Sequence, residues 1–429
     1  MAGTGSRRRV VVTGYGMITP LGRNTDETFE RARQGISGID YLTSFDTGGL
    51  PCRIGGQVQE GWLDEAGDPR AARFENLASR GARLMAVATA EAARQARLAE
   101  VANRDSIGVA LGSHGDNPSV QEVVFLHRFY RGDGGWDLPG LVQAGGYPYS
   151  LFFRRKPDVA MAMLAGLFDC RGSTLSIVSA CAAGAQAIGE AARTIREGRA
   201  QAMIAGGCEA TLDFMGLIGF TLLKALAERY RTPQQASRPF DRKRSGFVMS
   251  EGAGAVVLES LEHARSRGAP ILGELLGYGD SADAYRITDT HPRGEGAVLA
   301  MRGALEDASR GPEEIEYINA HGTSTQQNDA VETLAIKEVF GPRAKAIPIS
   351  SNKSMLGHTI AAAGAIECIL TLVGIQRSTI LPTINYEFPD PKCDLDYVPN
   401  AARQQRHRIA LSNSFGFGGQ NACLCLAGW

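Results

Sequence analysis

An apolar strand that leads into a turn of small residues and then into a helix rich in Ala and Gly occurs twice in this chain of 429 residues. The first copy lies near residues 174–198 and has Cys181 at its turn. The second lies near residues 349–372 and has His358 at its turn. A repeated unit of this kind limits the possible folds, because each copy has to bury its helix against a similar sheet.

A second pattern also recurs, since a strand ends at a glycine turn at Gly112 and again at Gly322. The sequence therefore predicts two duplicated halves, an N-terminal half of residues 1–267 and a C-terminal half of residues 268–429. Open α/β sheets bind ligands at the carboxyl ends of their strands. We expect the equivalent turns of the two halves to meet on one side of the molecule.

Short apolar runs, typical of strands buried on both faces, alternate along the chain with longer segments that have helical periodicity. The predicted strands are residues 9–13, 106–111, 174–179, 202–205, 253–259, 271–278 and 315–319, and the predicted helices are residues 25–34, 80–103, 158–169, 296–309, 329–340 and 359–372. This alternation predicts an α/β fold with a mostly parallel sheet covered on both faces. With the duplication, each of the two halves is expected to have a layered α/β/α core.

Composition excludes several classes of protein. A formal net charge of −1 argues against nucleic acid or a membrane surface as the partner. Residues 1–10 begin basic and then enter a strand rather than a signal sequence, so we expect no secretion. The eight cysteines are scattered, without a CxxC motif or a Cys/His ligand cluster, which predicts reduced thiols in the cytoplasm and no metal.

Two interpretations of Cys181 are open at this point. A cysteine among apolar residues is most often a buried packing residue. The alternative is a nucleophile on a tight strand-to-helix turn, where free N–H groups and the helix dipole favour a thiolate and can hold an oxyanion. Residues elsewhere in the chain are needed to distinguish these two interpretations.

His321, His358 and Lys353 also lie at predicted strand ends beside glycine. Singly, each histidine could be structural. Together with Cys181 they suit acyl transfer through a thioester, and two imidazole N–H groups could bind the enolate oxygen that forms when a malonyl group loses carbon dioxide. The chain lacks a GxGxxG motif after the first strand and a Walker motif, which argues against dinucleotide or ATP use.

Two further segments have alternative interpretations. Residues 413–421 contain two phenylalanines among glycines. The segment is either a gate for an acyl chain or a plain glycine turn whose aromatic rings lie in the core. Residues 117–157 are the least regular part of the chain and are rich in aromatics. They could form a lid, a pocket wall, a subunit contact or only a packed surface excursion.

Six motifs give the chain a resemblance to a known family. They are residues 10–22, 179–181 (Ser-Ala-Cys), 237–241 (Ser-Arg-Pro-Phe-Asp), 319–325 (Asn-Ala-His-Gly-Thr-Ser-Thr), 353–358 (Lys-Ser-Met-Leu-Gly-His) and 413–419 (Asn-Ser-Phe-Gly-Phe-Gly-Gly). Together they resemble the β-ketoacyl-acyl carrier protein synthases of the thiolase superfamily. The resemblance runs essentially from end to end and is nearest to the chain-elongating synthase II type. It implies a thiolase-like fold, in which the two duplicated halves form a layered α/β/α/β/α core.

The resemblance implies a condensation in two stages. Cys181 takes an acyl chain from acyl carrier protein, with the N–H groups of Cys181 and Phe417 as the oxyanion hole. His321 and His358 then hold the thioester oxygen of malonyl carrier protein as carbon dioxide leaves. The carbanion attacks the Cys181 thioester and gives a 3-oxoacyl carrier protein. No cofactor is implied, because the substrates are carried on the phosphopantetheine of the carrier protein.

The resemblance also implies roles for other residues. Lys353 pairs with Glu367 to orient the site, Thr323 and Thr325 bind the pantetheine arm, Phe417 is the gatekeeper with Phe415 beside it, and Lys224 faces the acidic carrier protein. The family forms twofold dimers, so a dimer is expected.

The chain departs from the family pattern in three places. Residues 326–328 are Gln-Gln-Asn where the family usually has Pro and a small residue. Residues 117–157 are longer than in the housekeeping enzymes, and the family's basic pair before Phe152 is replaced by Tyr147 and Pro148. These departures favour a specialised pathway, such as a type II polyketide or polyene synthase, in which the partner is either a second copy or a non-catalytic chain-length factor.

Two other functions are alternatives to an active elongating synthase. A chain-length factor that only shapes the pocket typically lacks the cysteine, and Cys181 is present. A thiolase or an initiating synthase primed by coenzyme A would carry a second cysteine or a His/Asn pair instead of two histidines. The intact set of Cys181, His321 and His358 therefore favours the elongating enzyme.

Overall fold

Ten strands form one continuous hydrogen-bonded sheet in this computed structural model, which describes residues 7–66 and 69–429. Residues 1–6, part of the basic start used to predict no secretion, lie outside the described residues. The strands are β1 (Val10–Ile18), β2 (Ile39–Tyr41), β3 (Ile54–Gly56), β4 (Ile107–Gly112), β5 (Thr174–Ile177), β6 (Ala202–Glu209), β7 (Gly252–Ser260), β8 (Gly273–Ala282), β9 (Tyr317–Asn319), β10 (Ile349–Ser350), β11 (Thr379–Ile380), β12 (Arg403–Gln404), β13 (Ile409–Phe415) and β14 (Gln420–Ala427).

Helices cover the sheet and connect its strands. They are α1 (Thr25–Arg33), α2 (Glu60–Ala66), α3 (Arg80–Gln95), α4 (Val120–His127), α5 (Leu138–Gln143), α6 (Tyr149–Arg154), α7 (Pro157–Leu167), α8 (Ala183–Arg196), α9 (Phe214–Leu222), α10 (Leu261–Ser266), α11 (Glu295–Ala308), α12 (Gln326–Phe340), α13 (Lys353–Leu356) and α14 (Ala363–Gln376). None of the helices within residues 7–66 and 69–429 combines the length and the apolar character that a membrane span requires.

The strand order β10-β9-β13-β14-β8-β1-β7-β6-β4-β5 contains the same five-stranded arrangement twice. In the N-terminal half, β5, β4 and β6 are parallel, and β7 and β1 continue antiparallel. In the C-terminal half, β10, β9 and β13 are parallel, and β14 and β8 continue antiparallel. This correspondence confirms the predicted duplication, and the halves join where β1 pairs with β8.

The expectation of a mostly parallel sheet was wrong, since the sheet is mixed. A parallel neighbour needs a crossover connection, usually a helix, whereas a short loop forces an antiparallel return. Residues 416–419 join β13 directly to β14, and the longer segment 210–251 leaves the sheet before β7 returns beside β6.

The layers follow the predicted α/β/α/β/α order. Helices α8 and α14 pack against each other and against strands of both halves, and their apolar side chains share one core cluster. Helices α3 and α7 cover the outer face of the N-terminal half, and α11 and α12 cover that of the C-terminal half.

Small residues allow the two central helices to approach closely. A Cβ atom added to Gly184 of α8 would lie 2.7 Å from the carbonyl oxygen of Ala361, and one added to Gly364 of α14 would lie 2.7 Å from the nitrogen of Ala185. Contacts this short are not tolerated, which explains the Ala/Gly-rich helix after each turn.

Two predictions about local structure need correction. Helix α3 ends at Gln95 rather than at Asn103, and Arg97 has a left-handed φ of 50° that starts a 3₁₀ turn. Residues 117–157 are not simply irregular, because they contain the short helices α4, α5 and α6. All the side chains of these three helices are exposed or half-buried.

Candidate active site

Cys181 lies on a sharp turn between β5 and α8. Ala180 has a φ of +47°, in the left-handed region that residues other than glycine rarely occupy, and residues 180–182 form a 3₁₀ turn that leads into the helix. The turn places Cys181 at the N-terminal end of α8, where the helix dipole favours negative charge. The side chain is only 3% exposed.

The C-terminal half contains the same turn with different residues. Ile360 has a φ of +42°, a strained value for a β-branched residue, and residues 360–362 lead into α14. Ala361 thus occupies the position equivalent to Cys181. The second turn contributes His358, two residues before Ile360.

His358 faces Cys181 directly. Its Nε2 atom lies 3.0 Å from the Cys181 Sγ atom, and its main-chain N–H donates to the Val248 carbonyl at 2.7 Å. The Nδ1 atom accepts the N–H of Ile360 at 3.3 Å, so the proton of the neutral ring belongs on Nε2. Burial and, to a lesser extent, the charge of Lys353 hold the pKa of His358 well below its usual value. The ring therefore presents a neutral N–H donor to the sulfur.

His321 lies in the turn after β9, with its ring centroid 5.3 Å from that of His358. Its main-chain N–H and that of Gly322 each donate to the Glu332 carboxyl at 2.8 Å. Burial and, to a lesser extent, the neighbouring Lys353 and His358 lower the pKa of His321 well below its usual value. Its buried Nδ1 atom has no hydrogen-bond partner among the residues described.

The sulfur of Cys181 and a nitrogen from each histidine all lie within 4.8 Å of one another. The chain has no local Cys/His ligand motif, and the fold assembles this cluster from residues up to 177 positions apart, as the expected meeting of the turns requires. The hydrogen bonds around the cluster are not those of a metal site. A metal-bound histidine donates its other N–H to an acceptor, whereas Nδ1 of His358 itself accepts an N–H.

Lys353 and Glu367 form the expected ion pair, with 2.5 Å between Nζ and Oε1. Both side chains are almost fully buried, and burial raises the pKa of Glu367 while Lys353 opposes that rise. Lys353 is held from its main-chain side, since the Ser237 hydroxyl donates to its carbonyl at 2.7 Å. Its charge reaches both histidines and favours their neutral forms.

Burial raises the pKa of the Cys181 thiol to about 11. Main-chain hydrogen bonds from Phe417 and Cys181, together with the charge of Lys353, oppose this rise. Cys181 is therefore a neutral thiol at rest. Two main-chain N–H groups point at its sulfur, as the oxyanion prediction requires, although that role itself stays a prediction.

The two phenylalanines occupy different surroundings. Phe415 is the last residue of β13 and belongs to the buried core of the C-terminal half. Phe417 is half-buried, and its ring centroid lies 6.3 Å from that of Phe220. The glycine-rich loop is shorter than predicted and covers residues 416–419, with φ values of +89° at Gly418 and +77° at Gly419.

A cavity of about 310 Å³ brings most of the predicted site together. The predicted residues that line it are Cys181, Lys224, His321, Thr323, Thr325, His358, Phe415 and Phe417. Lys353 and Glu367 lie behind the histidines rather than on the cavity wall. The Oγ1 atoms of Thr323 and Thr325 are 2.9 Å apart.

Sequence reasoning missed two contributions to the site. Glu332 supports the His321 turn from inside α12, and the available signal was an acid on a helix face that also carries Val331 and Ala335. Residues 288–290 and 326–328 line the mouth of the cavity, and the Gln327 side chain donates to the Thr290 carbonyl at 3.0 Å.

Comparison with known proteins places the whole chain. The β-ketoacyl synthase N-terminal domain matches residues 7–264 and the β-ketoacyl synthase C-terminal domain matches residues 272–387. The 3-oxoacyl-[acyl-carrier-protein] synthase 2 of Coxiella burnetii is 40% identical over 429 residues, which cover 98% of this chain and 99% of that protein. The protein of the same name from Synechocystis is 40% identical over 426 residues, 97% of each chain.

Solved structures are similar over the same length. A ketosynthase in complex with its type II polyketide synthase acyl carrier protein has a TM-score of 0.84 and 34% identity, covering 99% of this chain and 100% of that chain. The ishigamide ketosynthase/chain length factor has a TM-score of 0.84 and 32% identity, with the same coverage. A β-ketoacyl synthase from Burkholderia phymatum has a TM-score of 0.85 and 31% identity, covering 98% of this chain and 100% of that chain.

Proposed function

The chain belongs to the β-ketoacyl synthase family as a synthase II type enzyme that elongates acyl chains in fatty acid or polyketide synthesis, and we propose that Cys181, His321 and His358 carry its chemistry. The observation that carries this assignment is the convergence of one thiol and two neutral imidazoles at the end of one cavity.

In the first stage, the Cys181 sulfur attacks the thioester carbonyl of an acyl chain on the carrier protein. The main-chain N–H groups of Cys181 and Phe417 hold the oxyanion of the tetrahedral intermediate. The carrier thiol leaves and takes up the proton given up by Cys181. The product is an acyl thioester on Cys181 and a free carrier protein.

In the second stage, malonyl carrier protein occupies the same cavity. The Nε2–H of His358 and an N–H of His321 bind its thioester oxygen while the bond to the carboxylate breaks and carbon dioxide leaves. The carbanion attacks the Cys181 thioester, which releases the sulfur and gives 3-oxoacyl carrier protein. Neutral rings are required here, because each has to donate a hydrogen bond, and the charge of Lys353 favours that state.

The pantetheine arm passes Thr323 and Thr325 on its way to Cys181, since both threonines line the cavity. Phe417 stands beside the sulfur on a loop with two left-handed glycines, and rotation of its ring would open the acyl side of the site. The substrates arrive on phosphopantetheine, so the reaction itself needs no cofactor.

We place the enzyme in a type II polyketide or polyene pathway. Two structures that match over the full chain at more than 30% identity are a type II polyketide ketosynthase and the ishigamide ketosynthase/chain length factor. The expectation from the sequence that residues 117–157 are longer than in the housekeeping enzymes also favours this pathway.

The acidic carrier protein would meet the mouth of the cavity at Lys224. This residue is exposed and lines the cavity, and two exposed apolar residues precede it, Leu222 and Leu223. A cation beside an apolar patch suits a partner that presents carboxylates around an apolar centre.

A second subunit would continue the sheet at β5. This strand ends the sheet, and Val178, which follows it, is 58% exposed. Residues 117–157 in the same half expose further large apolar side chains, including Val124, Val142 and Tyr149. An open edge and exposed apolar surface support a dimer, with either a second copy or a chain-length-factor paralogue.

A thiol nucleophile has to stay reduced between turnovers, which suits the cytoplasm as the compartment.

The test of the whole proposal is intact-mass spectrometry of the protein given a panel of acyl carrier proteins and then malonyl carrier protein. We expect an acyl adduct that maps to Cys181 and discharges as 3-oxoacyl product. An adduct on another residue, or equal loading of Cys181→Ala, would contradict the proposal.

A further inference from the structure

We propose that a cationic groove beside the mouth of the active site, lined by Arg229, Arg231, Arg242 and Lys243, is a second docking surface for the acidic carrier protein. The inference rests on the proposed function. It assigns a partner to a surface separate from Lys224, on the side of the mouth formed by residues 228–245.

The groove has a volume of about 560 Å³, and the four cations on its wall are exposed. Arg229, Arg231 and Arg242 have no salt-bridge partner within the described part of the chain. The Nζ atom of Lys243 lies 3.4 Å from the centroid of the Phe388 ring, which positions the lysine without neutralising it.

Two other arginines beside the groove are already paired. Arg238 binds Asp241 at 3.0 Å and Glu387 at 3.3 Å. Arg244, directly after Lys243, is fully buried and binds Asp390 at 2.6 Å. The carboxylates of Asp241, Glu387 and Asp390 therefore pair with these two arginines rather than with the groove cations, in a chain whose formal net charge is only −1.

The groove is physically joined to the active-site mouth through Ser245. This residue lines the catalytic cavity, and its hydroxyl oxygen accepts the main-chain N–H of Arg229 at 3.2 Å and that of Glu228 at 3.3 Å. A carrier protein whose arm enters the cavity would therefore lie over the groove. Charge complementarity at such a rim governs encounter and orientation more than chemistry at the reacting atoms.

A basic surface can also be no more than a solvated face, or it can bind the phosphate of the pantetheine arm rather than the carrier protein. Three acyl donors separate these cases: acyl carrier protein, the same acyl group on 4′-phosphopantetheine, and the same acyl group on N-acetylcysteamine. The variant is Arg229→Ser with Arg231→Ser, and the measured quantity is the rate of Cys181 acylation at low and moderate salt.

The matched control is Arg94→Ser with Arg406→Ser, which removes the same charge from two exposed arginines elsewhere on the surface. We expect the groove variant to raise KM for acyl carrier protein about three- to tenfold, to leave kcat unchanged and to weaken the salt dependence. Both small donors should acylate the groove variant at the wild-type rate. Arg229→Lys with Arg231→Lys should restore the wild-type KM.

Four outcomes would overturn the inference. They are equal KM changes in the groove variant and the control, an unchanged KM in the groove variant, a matching rise for acyl phosphopantetheine, and a loss of rate with N-acetylcysteamine. Equal KM changes would indicate a general effect of charge, and an unchanged KM would indicate that the carrier protein does not contact the groove. A matching rise for acyl phosphopantetheine would indicate a phosphate site, and a loss of rate with N-acetylcysteamine would indicate damage to the catalytic cavity. Failure of the proposed function is distinct, because wild-type protein would then load no donor on Cys181.

Discussion

Lys353 and Glu367 form a buried ion pair, with 2.5 Å between Nζ and Oε1, directly behind the two histidines that line the cavity. Removal of one partner leaves the other charge buried and unpaired. We expect Lys353→Met to lower the free energy of unfolding by about 3–5 kcal/mol, measured by urea denaturation. The double variant Lys353→Met with Glu367→Met should recover part of that loss, and strictly additive losses would show that the pair is not coupled.

The same lysine should set the pH range of the histidines. Its positive charge lowers the pKa of both His321 and His358, so its removal raises both values. In Lys353→Met with Glu367→Gln, we expect the acid limb of malonyl decarboxylation to move to higher pH, because the rings protonate earlier and lose their neutral form. Lys392→Met, which removes an exposed charge, should leave the profile in place. A profile unchanged in both variants would contradict the assigned effect.

Cys181 should react as a thiol with a raised pKa. Only the thiolate is nucleophilic, and with a pKa of about 11 its fraction grows about tenfold for each pH unit below that value. Alkylation of Cys181 by iodoacetamide, followed by mass spectrometry, should therefore accelerate steadily from about pH 7 to 9. A rate that levels off near neutral pH would instead indicate a thiolate stabilised by His358 and the dipole of α8.

The two phenylalanines should separate stability from gating. Phe415 is 6% exposed in the core of the C-terminal half, so Phe415→Ala should cost about 3–5 kcal/mol of stability. Phe417 is half-buried on a glycine loop, and Phe417→Ala should slow acyl loading with a much smaller change in melting temperature. If Phe417→Ala loads the acyl chain at the wild-type rate, the Phe417 ring contributes only to packing and not to gating.

The open edge at β5 predicts where a second subunit, either another copy or a paralogue, contacts the protein. Val178→Asp introduces a charge at an exposed apolar position beside this edge, and we expect light scattering to show a shift toward monomer. Leu299→Asp is the matched control, since Leu299 is also 58% exposed but lies on the outer helix α11. The same shift in both variants, or in neither, would place the subunit contact elsewhere.

The turns that carry Cys181 and His358 could be predicted because neighbouring residues in the sequence are enough to indicate them. A tight turn into a helix that packs against another helix requires small residues, and those residues are visible in the sequence as Ala and Gly. The pairing of Lys353 with Glu367 came from family resemblance, and the structure contains it.

Other features depend on contacts that a single sequence does not display. The antiparallel return of β7 beside β6 follows from the path of a long connection, and the end of α3 follows from a left-handed Arg97. Glu332 looks like any other acid in a helix until the fold brings it under the His321 turn. The boundary between the two halves at residues 267 and 268 stays a prediction.

The pseudo-symmetric turns have a consequence for how this chain could be divided. One half has a cysteine where the other has Ala361, and both histidines come from the half that lacks this cysteine. If the three residues act as proposed, neither half could catalyse a condensation by itself, whatever its stability. Two separate genes for the halves would be useful to a cell only if both products were made together, so translating them as one polypeptide removes any dependence on matched expression.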